Sequence, residues 1–204
     1  WRNRQSTVFQ AAGPKLPQLP VEVITASQEA RLIKAARCPR DAFLIRFMVR
    51  TGVRLTECCS LTLRDIPEGE RVILIRQGKG RKPRAVPLDT RACRFSDELD
   101  RYIRRIRPQS PSDALFLTLT KVSGDHHPLR PHGLYIMLRR LGEETGIHVH
   151  PHLFRHTFAS RSLAAGLNPI YLQRALGHTT LAMTQRYVHH SQADLIEAWQ
   201  QRRD

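Results

Sequence analysis

Apolar positions recur at helical spacing through most of this 204-residue chain. Residues 1 to 20 lack that period and carry Pro14, Pro17 and Pro20, the pattern of an arm or linker. Thr25-Ala26-Ser27-Gln28 then has the form of a capping box. It opens a short helix with Leu32 and Ile33 on its apolar face, ending before Pro39. Phe43, Leu44, Phe47 and Met48 mark a second helix closed by Thr51-Gly52, and Arg54 starts a third with Glu57, Leu61 and the pair Cys58-Cys59.

The period changes at Val72-Ile73-Leu74-Ile75, a β-rich run followed by Gly78-Lys79-Gly80 and by Arg84 to Leu88, which Pro87 interrupts. This predicts a hairpin with a basic tip. Helical spacing returns from Ser96 to Arg107 through Leu99, Ile103 and Ile106. Leu115-Phe116-Leu117 is a short apolar run before the loop around Ser123-Gly124-Asp125. Four further helical segments follow: Gly133 to Glu144 with Leu134, Leu138 and Leu141 on one face; Leu153 to Ala165; Ile170 to Leu176 behind the cap Asn168-Pro169; and Thr180 to Val188. Ala193, Ile196 and Trp199 form a last apolar stripe, a face suited equally to packing on its own domain and to docking on a neighbour. No internal repeat is present.

Charge narrows the partner. Lys and Arg number 33 against 18 acidic residues, a formal excess of +15. Such an excess repels itself unless a polyanion neutralises it, and the basic residues are spread along the chain rather than gathered beside an apolar span. Nucleic acid is therefore expected and a membrane is not. Trp1 to Gln10 is polar, without the apolar core of a signal peptide, which predicts a cytosolic setting. Cys38, Cys58, Cys59 and Cys93 have no Cys-x-x-Cys spacing and read as small packing residues.

The candidate chemistry lies in four segments: Thr51-Gly52-Val53-Arg54-Leu55-Thr56-Glu57, His152-Leu153-Phe154-Arg155-His156, Leu176-Gly177-His178, and Tyr187 nine residues later. Splitting a phosphodiester with a protein nucleophile needs a group to attack in line, cations on the non-bridging oxygens, and a proton for the departing 5′ oxygen. Guanidinium groups suit the second task because they stay charged and donate paired hydrogen bonds. A lone arginine in so basic a chain would be read as a surface charge; the surrounding words raise Arg54 and Arg155 above that.

These words resemble the catalytic signature of the tyrosine recombinases, the phage-integrase family of DNA strand-exchange enzymes. The likeness runs from roughly residue 25 to residue 200. It implies an α+β, mainly helical catalytic domain with a small antiparallel sheet, over residues 21 to 204 behind an arm at 1 to 20. It implies Tyr187 as nucleophile, Arg54 and Arg155 as the phosphate clamp, and His152 and His178 as hydrogen-bonding partners, with His152 the base. Gly78-Lys79-Gly80-Arg81-Lys82-Pro83-Arg84 is similar to the family's lysine hairpin, which makes Lys79 the acid for the leaving 5′ oxygen, with Lys82 its rival. The implied reaction passes through a 3′-phosphotyrosyl link and needs no cofactor. The implied assembly is four protomers on two DNA duplexes, with 191 to 204 docking on a neighbour and accessory DNA-bending or directionality factors as further partners. Phe154 departs from the usual leucine and should still pack inward.

Other signals are weaker. His148, His150 and His152 alternate, and His126-His127 and His189-His190 are doublets, but no nearby Cys or acidic residue completes a ligand set, so no metal is expected. Tyr102, Tyr135 and Tyr171 sit in helical apolar patterns and are expected to pack. Asp65 is not expected to act as an acid, and Glu57, one turn from Arg54, is expected to orient it through an ion pair. The start at Trp1, with an arm where many family members carry a DNA-clamping domain, reads as a fragment, the alternative being a minimal invertase-like recombinase. A type IB topoisomerase, with the same nucleophile but rejoining the original strands, and a non-catalytic DNA-binding protein are the alternative functions.

Overall fold

The computed structural model describes residues 21–76, 83–90, 93–180, 182–185 and 187. The arm, the hairpin tip with Lys79, and the stripe Ala193, Ile196 and Trp199 lie outside them. Helix α1 (Ala26–Ala35) opens on the expected capping box: Gln28 N donates to Thr25 Oγ1 at 3.1 Å, and Thr25 N donates to Gln28 Oε1 at 2.8 Å. Helix α2 (Pro39–Thr51) begins on a proline and ends at Gly52, whose φ of 60° is left-handed. A Cβ at Gly52 would come within 2.4 Å of Phe158 Cδ1, so a side chain there would have to displace the Phe158 ring on the later α6. Helix α3 (Leu55–Ser60) follows with Arg54 as its N-cap.

Strands β1 (Val72–Ile75) and β2 (Arg84–Pro87) pair antiparallel in the register Ile73 to Val86 and Ile75 to Arg84. Ile73, Ile75 and Val86 point into the core, the alternation expected of a half-buried hairpin. The helix expected over 96 to 107 arrives in two parts, α4 (Phe95–Arg101) and a wider π turn (Tyr102–Ile106) closed by Arg107 N on Tyr102 O at 2.8 Å. Tyr102 is stacked on Phe43 with ring centres 4.4 Å apart and donates its hydroxyl to Leu115 O at 3.2 Å. Leu115, Phe116 and Leu117 are buried in a segment held by isolated bridges rather than a full strand.

Helices α5 (Pro131–Thr145), α6 (Leu153–Ala164) and α7 (Pro169–Leu176) complete the frame, and α8 (Ala182–Gln185) is a single turn before Tyr187. Of the helix expected from Thr180 to Val188, the described residues show α8, and Tyr187 N donates to Thr184 O at 3.0 Å. One large core joins α1 to α5, the hairpin and the start of α6, and includes fully buried Phe154. A second, smaller core gathers Ala159, Leu172, Leu176 and Tyr187. Tyr135 and Tyr171 do not pack as expected; they are 44% and 61% exposed. The buried stripes of their helices are Leu134, Leu138 and Leu141 in α5 and Leu172 and Leu176 in α7, and both tyrosines fall off those stripes. Among the described residues no helix is long and apolar enough to cross a membrane.

Candidate active site

Arg155 is the knot of the site. It leaves α6 nearly fully buried, 3% exposed, and donates one Nη to Gly52 O at 2.8 Å and the other to Leu176 O. Those acceptors are carbonyls at the C-terminal ends of α2 and α7, which are electronegative and lack partners within their own helices. One guanidinium therefore joins three helices that are distant in sequence. Arg54 reaches the same Leu176 carbonyl at 3.5 Å.

Glu57 organises the other cations. Its Oε2 accepts the Arg54 backbone N–H at 2.8 Å and its Oε1 accepts from Arg54 Nη1 at 2.9 Å. Arg84, arriving from β2, forks onto the same carboxylate at 3.0 and 2.7 Å and donates its Nε to Ala175 O at 2.8 Å. The expected orienting role of Glu57 is present, but the Arg84 half of it was missed, because Arg84 read only as part of a basic hairpin. Burial pushes the Glu57 carboxyl up, yet the bonds from Arg84 and the Arg54 backbone outweigh it and hold its pKa at about 2. Burial, and then the like charge of Arg54, push the Arg155 guanidinium down from its ordinary range to about 9. It stays protonated at neutral pH, in a cluster where three guanidinium groups face one carboxylate. Such a group of guanidiniums has the donors and charge to bind an anion.

Tyr187 lies 3% exposed beside this cluster. Its hydroxyl oxygen is 2.7 Å from Nδ1 of His156, and its ring stacks at 10° alongside that of His178, with centres 6.4 Å apart. His178 is buried and meets Thr184 Oγ1 through Nδ1 at 2.8 Å. That bond, with Gly177 in its left-handed conformation at the end of α7, turns the chain toward the tyrosine. His152 occupies the N-cap position of α6, and its ring centre is 6.0 Å from that of His156.

Five of the six expected site residues, Arg54, His152, Arg155, His178 and Tyr187, are thus drawn to one region by the ends of α2, α6 and α7. The sixth, Lys79, lies outside the described residues. His156 was missed. A signal for it existed: 152, 155, 156 and 159 share one helical face, the face that meets the second core through Ala159. The expectation that no acidic residue joins the alternating histidines is corrected as well. Glu22 Oε2 lies 3.3 Å from His148 Nδ1 and 3.4 Å from His150 Nε2, a set of three groups with the composition of a metal-ligand triad. Sequence hid it because Glu22 is 126 residues from His148.

Comparison with known proteins matches this geometry to a family. Residues 22–194 match the model of the phage integrase family. The chain is 33% identical over 177 residues to the tyrosine recombinase XerA of Saccharolobus solfataricus, covering 86% of this chain and 55% of that protein. The crystal structure of a XerA recombinase superimposes with a TM-score of 0.70 at 31% identity, over 93% of this chain and 66% of that one. XerH site-specific recombinase, solved bound to its difH substrate in a pre-cleavage complex, superimposes at 0.65 and 26% identity, over 97% of this chain and 57% of that one. The chain spans between about half and two thirds of the length of the curated relatives it matches. With the catalytic-domain fold, the arginine box, the His-x-x-Arg box and the terminal tyrosine in one place, this chain belongs to the phage integrase family of tyrosine recombinases.

Proposed function

We propose that the protein is a site-specific DNA recombinase that cleaves and rejoins DNA strands through a 3′-phosphotyrosyl intermediate. The observation that carries this reading is the Tyr187 hydroxyl, held 2.7 Å from an imidazole nitrogen beside the cluster of Arg54, Arg84 and Arg155. The scissile phosphate docks on Arg54 and Arg155, which neutralise its non-bridging oxygens as charge builds in the transition state. Tyr187 Oη attacks phosphorus, the P–O5′ bond breaks, and Lys79 from the hairpin tip protonates the departing 5′ oxygen. His152 and His178 hydrogen-bond the phosphate and hold the tyrosine. A 5′ hydroxyl from the partner duplex then attacks the phosphotyrosine and releases Tyr187. The covalent link keeps the energy of the phosphodiester, so the chemistry asks for no nucleotide or other cofactor.

The substrate in this reading is double-stranded DNA, as in the XerH complex with difH, and four protomers assemble on two duplexes with accessory DNA-bending or directionality factors. Residues 21 to 204 act as the catalytic unit, 1 to 20 as an arm, and 191 to 204 as the segment that docks on a neighbour. Acting on DNA would place the protein with the nucleoid in the cytoplasm.

Covalent trapping tests the proposal. The protein is mixed with supercoiled plasmid carrying the genomic sequence that flanks its gene, quenched with detergent, and assayed for protein-linked DNA. The expected result is an adduct at Tyr187 that Tyr187→Phe abolishes, together with recombinant products. Relaxed plasmid without recombinants would indicate topoisomerase action, and salt-sensitive binding without an adduct would indicate a DNA-binding role alone.

A further inference from the structure

We infer that His156, in place of His152, the base that the resemblance implies, takes the phenolic proton of Tyr187 during strand cleavage and returns it during rejoining. The inference rests on the reading of Tyr187 as nucleophile and adds a residue to it. Its basis is the 2.7 Å contact between Tyr187 Oη and His156 Nδ1, with ring centres 5.5 Å apart. A tyrosine in water ionises near pH ~10, so attack at neutral pH needs a group that accepts the proton as the O–P bond forms. An imidazole in hydrogen-bond contact with the reacting oxygen meets the first requirement of such a base, which is geometric.

The fold builds this contact rather than leaving it to chance. His156 lies one residue beyond Arg155, whose two Nη groups are fixed on Gly52 O and Leu176 O, so the helical phase of α6 at that point is set by the clamp itself. Tyr187 is fixed from the other side by its packing with Ala159, Leu172 and Leu176, and by its backbone bond to Thr184, whose hydroxyl meets His178. Arg155 and His156 thus present a phosphate ligand and a proton acceptor from adjacent positions of one helix. Among the described residues, the groups against His156 include His152 one turn earlier on α6, His150 from the preceding loop with rings 6.1 Å apart, and Tyr187.

In the balanced step, the Oη lone pair forms the bond to phosphorus and the Oη proton passes to Nδ1, which requires neutral His156 with its proton on Nε2. The P–O5′ electron pair leaves with the 5′ oxygen, which takes its own proton from Lys79. On rejoining, the incoming 5′ hydroxyl attacks phosphorus, and the His156 imidazolium returns a proton to the departing tyrosinate. His156 is therefore placed on the nucleophile, a different position from the leaving-group acid.

Two variants separate proton transfer from positioning. His156→Asn keeps a polar atom near the Nδ1 position and can hydrogen-bond Tyr187, but it cannot accept a proton; His156→Ala removes both functions. On a nicked duplex containing the cleavage site mapped by covalent trapping, both variants should form the Tyr187 adduct at least ~100-fold more slowly than wild type, since general-base catalysis contributes roughly 10²–10⁴-fold. The loss should persist when the 5′ bridging oxygen is replaced by sulfur, whose departure needs no acid. An Asn variant within threefold of wild type, or a defect erased by the sulfur substrate, overturns the inference while leaving Tyr187 as nucleophile. If wild type itself forms no adduct on any flanking DNA, the proposed function fails first. A DNA-free measurement decides the inference independently of that outcome. Imidazole ¹⁵N spectra at pH 8 should show His156 as the Nε2–H tautomer, with an Nδ1 resonance that shifts in Tyr187→Phe; an Nδ1–H tautomer, or no shift, overturns it.

Discussion

Replacing Glu57 with Gln keeps the shape of a buried side chain and removes the one carboxylate that Arg54 and Arg84 share. The consequence can be worked from the structure. The Glu57 pKa falls from 4.5 to about 2 in the fold. At 1.36 kcal/mol per unit that corresponds to about 3 kcal/mol of stabilisation at neutral pH. Because the folded value is the lower one, this stabilisation is fully present above about pH 4.5 and is lost as pH falls toward about 2. A direct estimate from breaking a buried ion pair gives a similar figure, about 3–5 kcal/mol, since Gln also turns an amide donor toward guanidinium donors. For a chain of this length, 3 kcal/mol lowers Tm by roughly 6–12 °C. Urea titrations of wild type and Glu57→Gln at pH 7, 4.5 and 2.5 measure the effect. The gap should be largest at pH 7 and should narrow at pH 2.5, where the wild-type carboxyl approaches half protonation. Sulfate should narrow it at pH 7 by supplying anions to the arginine cluster. Equal urea midpoints at pH 7, or a gap that does not change with pH, would refute the reasoning.

Two further outcomes follow from the same geometry. Gly52→Ala should destabilise by at least about 2 kcal/mol, because it adds the left-handed backbone cost of roughly 1–2 kcal/mol to a contact of 2.4 Å with Phe158. Gly146→Ala is the control: its φ of 67° is similar but nothing lies within 4 Å, so urea unfolding should show only the backbone cost. DNA affinity, followed by fluorescence anisotropy, should fall at least ~10³-fold between 50 and 200 mM salt if about six phosphates are neutralised. A flat salt response would contradict the role assigned to the basic excess.

The capping box at Thr25, the αL stop at Gly52, the Asn168-Pro169 cap and the two strands were legible because each depends on residues a few positions apart. The large core was legible because its apolar stripes repeat with the helical period. Where sequence reading failed, the error was one of orientation. Tyr135 and Tyr171 belong to apolar-rich helices, but Tyr135 sits off the stripe Leu134, Leu138 and Leu141 that the period already marked, and Tyr171 off the pair Leu172 and Leu176 that packing buries, so both face outward. The π turn at Tyr102 likewise forms where the ring stacks on Phe43, a partner in α2.

The site divides in the same way. Sequence alone determined which chemistry was on offer, through the arginine box, the His-x-x-Arg box and a tyrosine nine residues beyond Leu176-Gly177-His178. Only the tertiary structure decided which partner each group meets: Arg84 crosses 27 positions to share Glu57, Arg155 crosses 103 to reach Gly52 O, and His156 crosses 31 to reach Tyr187. The physical reason is that caps and periodic stripes are set by local backbone geometry. Pairing between buried polar groups is set instead by which helix ends the core brings together, and by the cost of leaving any of those groups unsatisfied.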